Sequence, residues 1–118
     1  LKALVVDAAD PAALAGVWSR AIGWPRAGSG ERWSSLRSAS GQGLYLEFIK
    51  VEDPKRAKNR LHLDLAPTPG SDQAAEVARL RALGATPADV GQGEVSWVVL
   101  ADPEGNEFCV LTPRQEAP

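Results

Sequence analysis

Apolar and polar positions along this chain switch between the alternation of a strand and the three-to-four spacing of a helix. Lys2 to Ala8 is rich in β-formers and predicts a first strand. Asp10 then offers a helix cap, Pro11 fits a first turn where a missing N–H costs nothing, and Gly23 suits a left-handed stop. Between them Leu14, Val17, Trp18, Ala21 and Ile22 form one apolar stripe that needs a sheet to pack on. Pro25 to Gly30 has loop composition. Glu31 to Arg37 and Gly43 to Val51 then read as strands joined by the turn-forming Ser40-Gly41-Gln42-Gly43. In the second of these strands Leu44, Leu46 and Phe48 alternate with Tyr45, Glu47 and Ile49.

The charged stretch Glu52 to Asn59 breaks the pattern, and a strand over Lys58 to Leu65 follows. There Leu61, Leu63 and Leu65 form an apolar face against His62 and Asp64. Ser71 is the candidate cap of a second helix with Ala74, Val77, Leu80 and Leu83 on one side and Gly84 at its end. A short extended piece near Ala85 to Ala88 precedes two more strands, Glu94 to Ala101 and Asn106 to Thr112. Asp102-Pro103-Glu104-Gly105 joins them as a tight turn.

The order strand, helix, strands therefore occurs twice. Trp33 to Leu36 leads to Gly41 at the spacing by which Trp97 to Leu100 leads to Gly105, and the two starts, Leu4 to Pro11 and Leu61 to Pro69, are alike. The expected fold class is α+β: two βαβββ modules that pair their sheets into a cup-like cleft with the helices outside. They form a single domain over 1–118, with module one at about 1–52, a linker at about 53–59, module two at about 60–112 and a fraying tail at 113–118.

Composition narrows the function classes. The 118 residues are 44% hydrophobic and 24% charged, enough for one core. With 13 Lys and Arg against 15 Asp and Glu, the net charge of −2 draws the chain toward neither nucleic acid nor an anionic membrane. A single cysteine makes no internal disulfide, and no run spans a bilayer, so a soluble cytoplasmic setting is expected. The basic run Lys55, Arg56, Lys58 and Arg60 reads as a solvated loop, or else as a gate for an anionic ligand. Phosphate-cradling glycines followed by a helix are missing, and Ser71 and Ser96 have no histidine at local spacing.

Four segments carry a family resemblance. Ala9-Asp10-Pro11 enters a helix that ends Ile22-Gly23-Trp24, and Asn59 to Leu65 reads NRLHLDL. Leu80 to Thr86 reads LRALGAT, and Trp97 to Leu111 reads WVVLADPEGNEFCVL. Together they resemble the glyoxalase-like branch of the vicinal oxygen chelate superfamily over nearly the whole chain. The resemblance implies paired βαβββ modules, frequent homodimers, and relatives that include lyases, isomerases, extradiol dioxygenases and antibiotic-sequestering proteins.

Metal-using members place one ligand on each of four strands. Carried over by position, the first strand of this chain offers Ala3 or Val5, which cannot bind a metal, and the later strands offer Glu47, His62 and Cys109. Where metal-dependent relatives have a glutamate seven residues after the Asp of the DPEGN motif, this chain has Cys109. The resemblance therefore implies no metal-dependent glyoxalase, and no cofactor is expected. A divalent ion on Glu47, His62 and Cys109 is the alternative, since carboxylate, imidazole and thiolate are all zinc ligands. Against it, a cysteine between Phe108 and Val110 in a strand reads as a small hydrophobe.

The family position makes His62 a catalytic candidate, as general base or as donor to a substrate oxygen, with Glu47 as the second proton-transfer group. Asp64 shares the His62 face but stands about 7 Å along the strand, beyond an unaided hydrogen bond. Trp33, Tyr45, Trp97, Glu107 and Cys109 are the candidate substrate-binding residues, an aromatic and polar wall for a flat or partly apolar ligand. Trp18, in the helix stripe, belongs to the core. The expected activity is that of a lyase or isomerase on a small oxygenated metabolite. The alternatives are a sequestering protein of the bleomycin-resistance type and a vestigial dimerisation module.

Overall fold

The first helix begins as its sequence predicts. In the computed structural model, which describes residues 1–113, Asp10 accepts a hydrogen bond from the Ala13 N–H at 3.1 Å, and α1 runs Pro11–Ile22. Gly23 closes it with φ 71°, a left-handed conformation in which a Cβ would be strained. The expected tail, apart from Pro113, lies outside the described residues.

The chain divides into two compact units, Leu1–Lys55 and Arg56–Pro118. In the first, β1 (Ala3–Ala8) precedes α1, and β2 (Arg26–Gly30), β3 (Trp33–Arg37) and β4 (Tyr45–Lys50) follow it. The sheet order is β1-β4-β3-β2, with β1 parallel to β4 and the other pairs antiparallel. Leu14, Ala15 and Trp18 of α1 are buried, as are Leu36, Leu46 and Phe48 of the sheet. Phe48 and Leu36 are fully enclosed, and each such side chain stabilises the unit by about 1.5–3 kcal/mol. Strand alternation turns Val5, Glu47 and Ser35, cross-strand neighbours in one row, to the other face.

The loop expected over Pro25 to Gly30 is instead the edge strand β2, with a bulge between Arg26 and Gly28. Its glycines are the reason. The Trp33 indole lies across them, so that a Cβ at Gly30 would collide with the ring nitrogen and one at Gly28 would sit 3.1 Å from Cη2. Glycine, a loop residue by propensity, here admits an aromatic ring onto a strand. Arg26 fastens the strand by donating to Ala12 O at 3.1 Å and to Ser34 Oγ at 3.2 Å.

The second unit repeats the order with β5 (Asp64–Leu65), α2 (Gln73–Ala82), β6 (Thr86–Pro87), β7 (Val98–Ala101) and β8 (Glu107–Val110). Its sheet order is β5-β8-β7-β6, with β5 parallel to β8. Each unit is thus a βαβββ module of the expected α+β class.

Local details differ from the sequence reading. Asp72, not Ser71, caps α2, accepting from the Ala75 N–H at 2.8 Å, while the Ser71 hydroxyl bonds Glu76. Ala74 is exposed, and only Leu80 of the expected stripe is fully buried. The strand expected over Lys58 to Leu65 is two residues long, and Leu61, placed on its apolar face by alternation, is 80% exposed. With Asn59 held by side-chain bonds and Arg60 in a bend, the chain joins the ladder only where the Cys109 N–H reaches Leu63 O at 2.9 Å. The strand expected from Glu94 likewise begins at Val98.

Among the described residues no helix is long and apolar enough to cross a membrane.

Candidate functional site

Sheet register brings the chemistry of the second unit together. Asp64 of β5 faces Cys109 of β8, which faces Val99 of β7, so the three side chains lie in one row on one face of the sheet. His62 stands two residues before Asp64, and its Nδ1 lies 3.4 Å from Asp64 Oδ1 and 4.0 Å from Cys109 Sγ. The expectation that about 7 Å separates them holds for the strand repeat and not for the side chains, which meet as an ion-pair contact. It used the backbone repeat of a regular strand, but His62 precedes β5 and both side chains lean toward each other across that distance.

These residues border a cavity of about 340 Å³ within the second unit. Val90, Trp97, Val99, Phe108 and Leu111 supply its apolar lining, and Lys58, Asn59, Gln92 and Glu107 complete the polar part with His62, Asp64 and Cys109. Trp97 precedes β7, on a segment held by Gln73, whose Nε2 donates to Ser96 O at 2.8 Å and Val110 O at 2.9 Å. Val90 and Gln92 come from the irregular stretch after β6, to which the sequence reading gave no role.

The turn between β7 and β8 holds one edge of the cavity. Asp102, buried at 4% exposure, accepts from the N–H groups of Glu104 and Asn106 and from the Asn106 side-chain amide. Asn106 Oδ1 in turn accepts from Asn59 Nδ2 at 3.3 Å, and Glu107 Oε2 accepts from the Asn59 N–H at 3.0 Å. Glu107 thus lines the cavity and also pins the loop that carries Lys58. Of the basic run, Lys58 reaches the cavity.

The other candidates lie in the first unit. Glu47 sits at the middle of β4, beside Val5 and Ser35. The Tyr45 ring has Lys2 Nζ at 5.8 Å from its centroid. Trp33, 42% exposed, covers Gly28 and Gly30.

Electrostatics fix the form of Cys109. Burial, with the residue 7% exposed, pushes its thiol above the ordinary value of 9.0; the Asp64 charge and a hydrogen bond to Asp64 push the same way, and Lys58 opposes them. The protonated thiol is therefore the form that the fold favours. Its contribution to stability is complete below pH 9 and is lost as pH rises through the raised value. Alkylation by iodoacetamide should accordingly be slow at pH 7 and climb only above pH 9, since the thiolate is the nucleophile. In Asp64→Asn the climb should begin at lower pH; a midpoint at or below 9 in the unsubstituted protein would contradict this account of the thiol.

The metal of metal-using relatives can be tested against these residues. The four-strand ligand set does not fit, because Ala3 and Val5 on β1 carry no donor atom. A different set does: among the described residues, donor atoms of His62, Asp64 and Cys109 all lie within 4.8 Å of one another. Asp64 replaces Glu47 in the grouping read from the sequence, and all three donors belong to one unit.

Two mixed four-stranded sheets, each with its helix, and a cavity whose wall carries His62 and Cys109 define a protein of the glyoxalase-like class. The glyoxalase-like domain family matches residues 3–111, and the chain belongs to that family. A glyoxalase/bleomycin resistance protein/dioxygenase family enzyme from Burkholderia phytofirmans PsJN superposes with a TM-score of 0.69 at 16% identity, over 92% of this chain and 94% of that one. A glyoxalase-related enzyme from Fulvimarina pelagi gives 0.70 at 16% identity, over 93% and 85%. The fosfomycin resistance protein FosX from Mesorhizobium loti gives 0.69 at 11% identity, over 98% and 91%. At these identities the likeness is one of fold. The comparison with curated proteins gives no significant match.

Proposed function

We propose that this protein is a lyase or isomerase acting on a small oxygenated metabolite bound in the cavity of the second unit. The observation that carries this reading is the His62–Asp64 pair, 3.4 Å apart, on the wall of a largely apolar pocket. A carboxylate beside Nδ1 favours the tautomer with its proton on Nδ1 and leaves Nε2 as the proton acceptor. The arrangement suits abstraction of a proton next to a carbonyl or hydroxyl group, with the ligand body against Trp97, Val99 and Leu111.

A second reading, sequestration of a drug-like ligand, draws on the same apolar wall and on the fold shared with the fosfomycin resistance protein. Both are tested on protein stripped with EDTA. A library of small 2-hydroxy and 2-oxo compounds is screened by tryptophan fluorescence, and responders are followed by proton NMR. Binding with exchange or rearrangement of a substrate proton supports the enzyme, and stoichiometric binding without product supports sequestration. Silence across the library sinks both.

A further inference from the structure

We infer that the cavity of the second unit takes a small monocarboxylic acid with an apolar body, its carboxylate held at the rim by the Lys58 ammonium. This names the chemical class of the ligand, and it rests on the proposed function for the choice of cavity. Besides the Cys109 thiol, the ionisable groups on the lining are Lys58, His62, Asp64 and Glu107. The acids and the imidazole are engaged within the protein. Asp64 faces both His62 Nδ1, at 3.4 Å, and the Cys109 thiol, and Glu107 Oε2 accepts from the Asn59 N–H at 3.0 Å. Lys58 is different. Its Nζ donates at 3.3 Å to the carbonyl of its own neighbour Asn59, and among the described residues no carboxylate lies within ion-pair distance of it. An ammonium carries three donors, so this one bond leaves the others for a ligand.

Position separates Lys58 from the rest of its basic run. Asn59, the next residue, is tied through its N–H to Glu107 and through Nδ2 to Asn106, which fixes the backbone beside Lys58 at the cavity edge. The field of the ammonium reaches inward, since Lys58 is the group that pulls the Cys109 thiol down against burial and Asp64. Arg56 and Arg60 do not border the cavity. The other walls set the class of ligand. Val90, Trp97, Val99, Phe108 and Leu111 demand an apolar body, because a purely polar anion would lose hydration there without gaining contacts. The volume of about 340 Å³ is at the lower end for small-molecule sites, about 300–1,000 Å³. Charge selects a monoanion: one lysine stands with two carboxylates, so a second negative charge on the ligand would meet Asp64 and Glu107 uncompensated. No arginine lines the cavity to offer a phosphate or phosphonate its two-pronged fork.

The full chain is titrated by tryptophan fluorescence and calorimetry with 2-hydroxyisocaproate, mandelate and 3-phenyllactate, each beside its methyl ester, and with the phosphonate analogue of mandelate. At least one acid should bind at least about 5-fold tighter than its ester, the gain expected of a charge-assisted bond partly in water. Raising the salt from about 0.02 M to about 0.2 M should narrow that gap by screening the rim charge. Lys58→Met should bring the ester-to-acid ratio close to one, and Lys58→Arg should keep the preference. Arg60→Met removes the same charge from the same loop outside the cavity and should also keep it. The phosphonate should bind more weakly than mandelate. Esters as tight as their acids, a preference that survives Lys58→Met or is lost equally in Arg60→Met, a phosphonate tighter than its carboxylate, or no binding by any of these probes overturns the inference. Proton exchange on a neutral substrate with no preference for acids would keep the proposed reaction and sink this assignment. Acid binding that depends on Lys58, without exchange or rearrangement, would sink the reaction and keep the assignment.

Discussion

His62→Ala should lower turnover of the EDTA-stripped protein at least about 100-fold, or abolish the binding response if the protein only sequesters, while the melting temperature moves by no more than about 2 °C. The first half follows from the usual contribution of a positioned general base, about 10²–10⁴-fold. The second half follows from surroundings. His62 is exposed, precedes the two-residue β5 and adds nothing to the buried set of Leu80, Leu100, Phe108 and Val110. Removing an exposed side chain seldom shifts stability by more than about 0.5 kcal/mol. The informative comparison is between turnover and thermal melting on the same sample. If melting falls by 10 °C and ligand binding persists, His62 is a structural residue and the proposed chemistry is lost.

The converse pattern is expected at the turn between β7 and β8. Asp102→Ala should destabilise the protein by about 3 kcal/mol, measured by urea denaturation, because it strands donors in a buried place: the N–H groups of Glu104 and Asn106 and the Asn106 amide. The loss should not stop at stability. Asn106 holds Asn59, and Asn59 carries Lys58 to the cavity edge, so ligand affinity should fall as well. Asp102→Asn keeps one acceptor oxygen and should fall between the two. A loss of less than 1 kcal/mol in Asp102→Ala would mean that water replaces the carboxylate without penalty.

How far these features were readable from the chain differs by kind of signal. Caps and periods were legible: Asp10, Pro11 and Gly23 bound α1, Trp18 is core, and the repeat of strand, helix and strands is the order of both units. Two failures have separate physical causes. Gly28 and Gly30 carry loop propensity, and nothing local reveals that the Trp33 ring will lie across them in an edge strand. The meeting of Asp64 with His62 and Cys109 was hidden because it depends on which residues of two distant strands stand opposite each other. Asp64 and Cys109 are 45 positions apart, and only the parallel pairing of β5 with β8 makes them partners. His62 and Cys109 were both named as site residues from the family resemblance, yet their contact through the carboxylate between them is a property of register.

That pairing is short, since β5 contributes two residues, Asp64 and Leu65, to the ladder with β8. In a ladder with a period of two, a slip of one position turns every side chain to the opposite face. Here it would carry Asp64 to the helix side and leave Leu65 beside Cys109. A pairing so brief holds its alignment weakly by itself, and the bonds from Asn59 to Glu107 and Asn106 fix where the incoming strand is threaded. The bonds of one asparagine thus select the single alignment that puts an acid against the thiol.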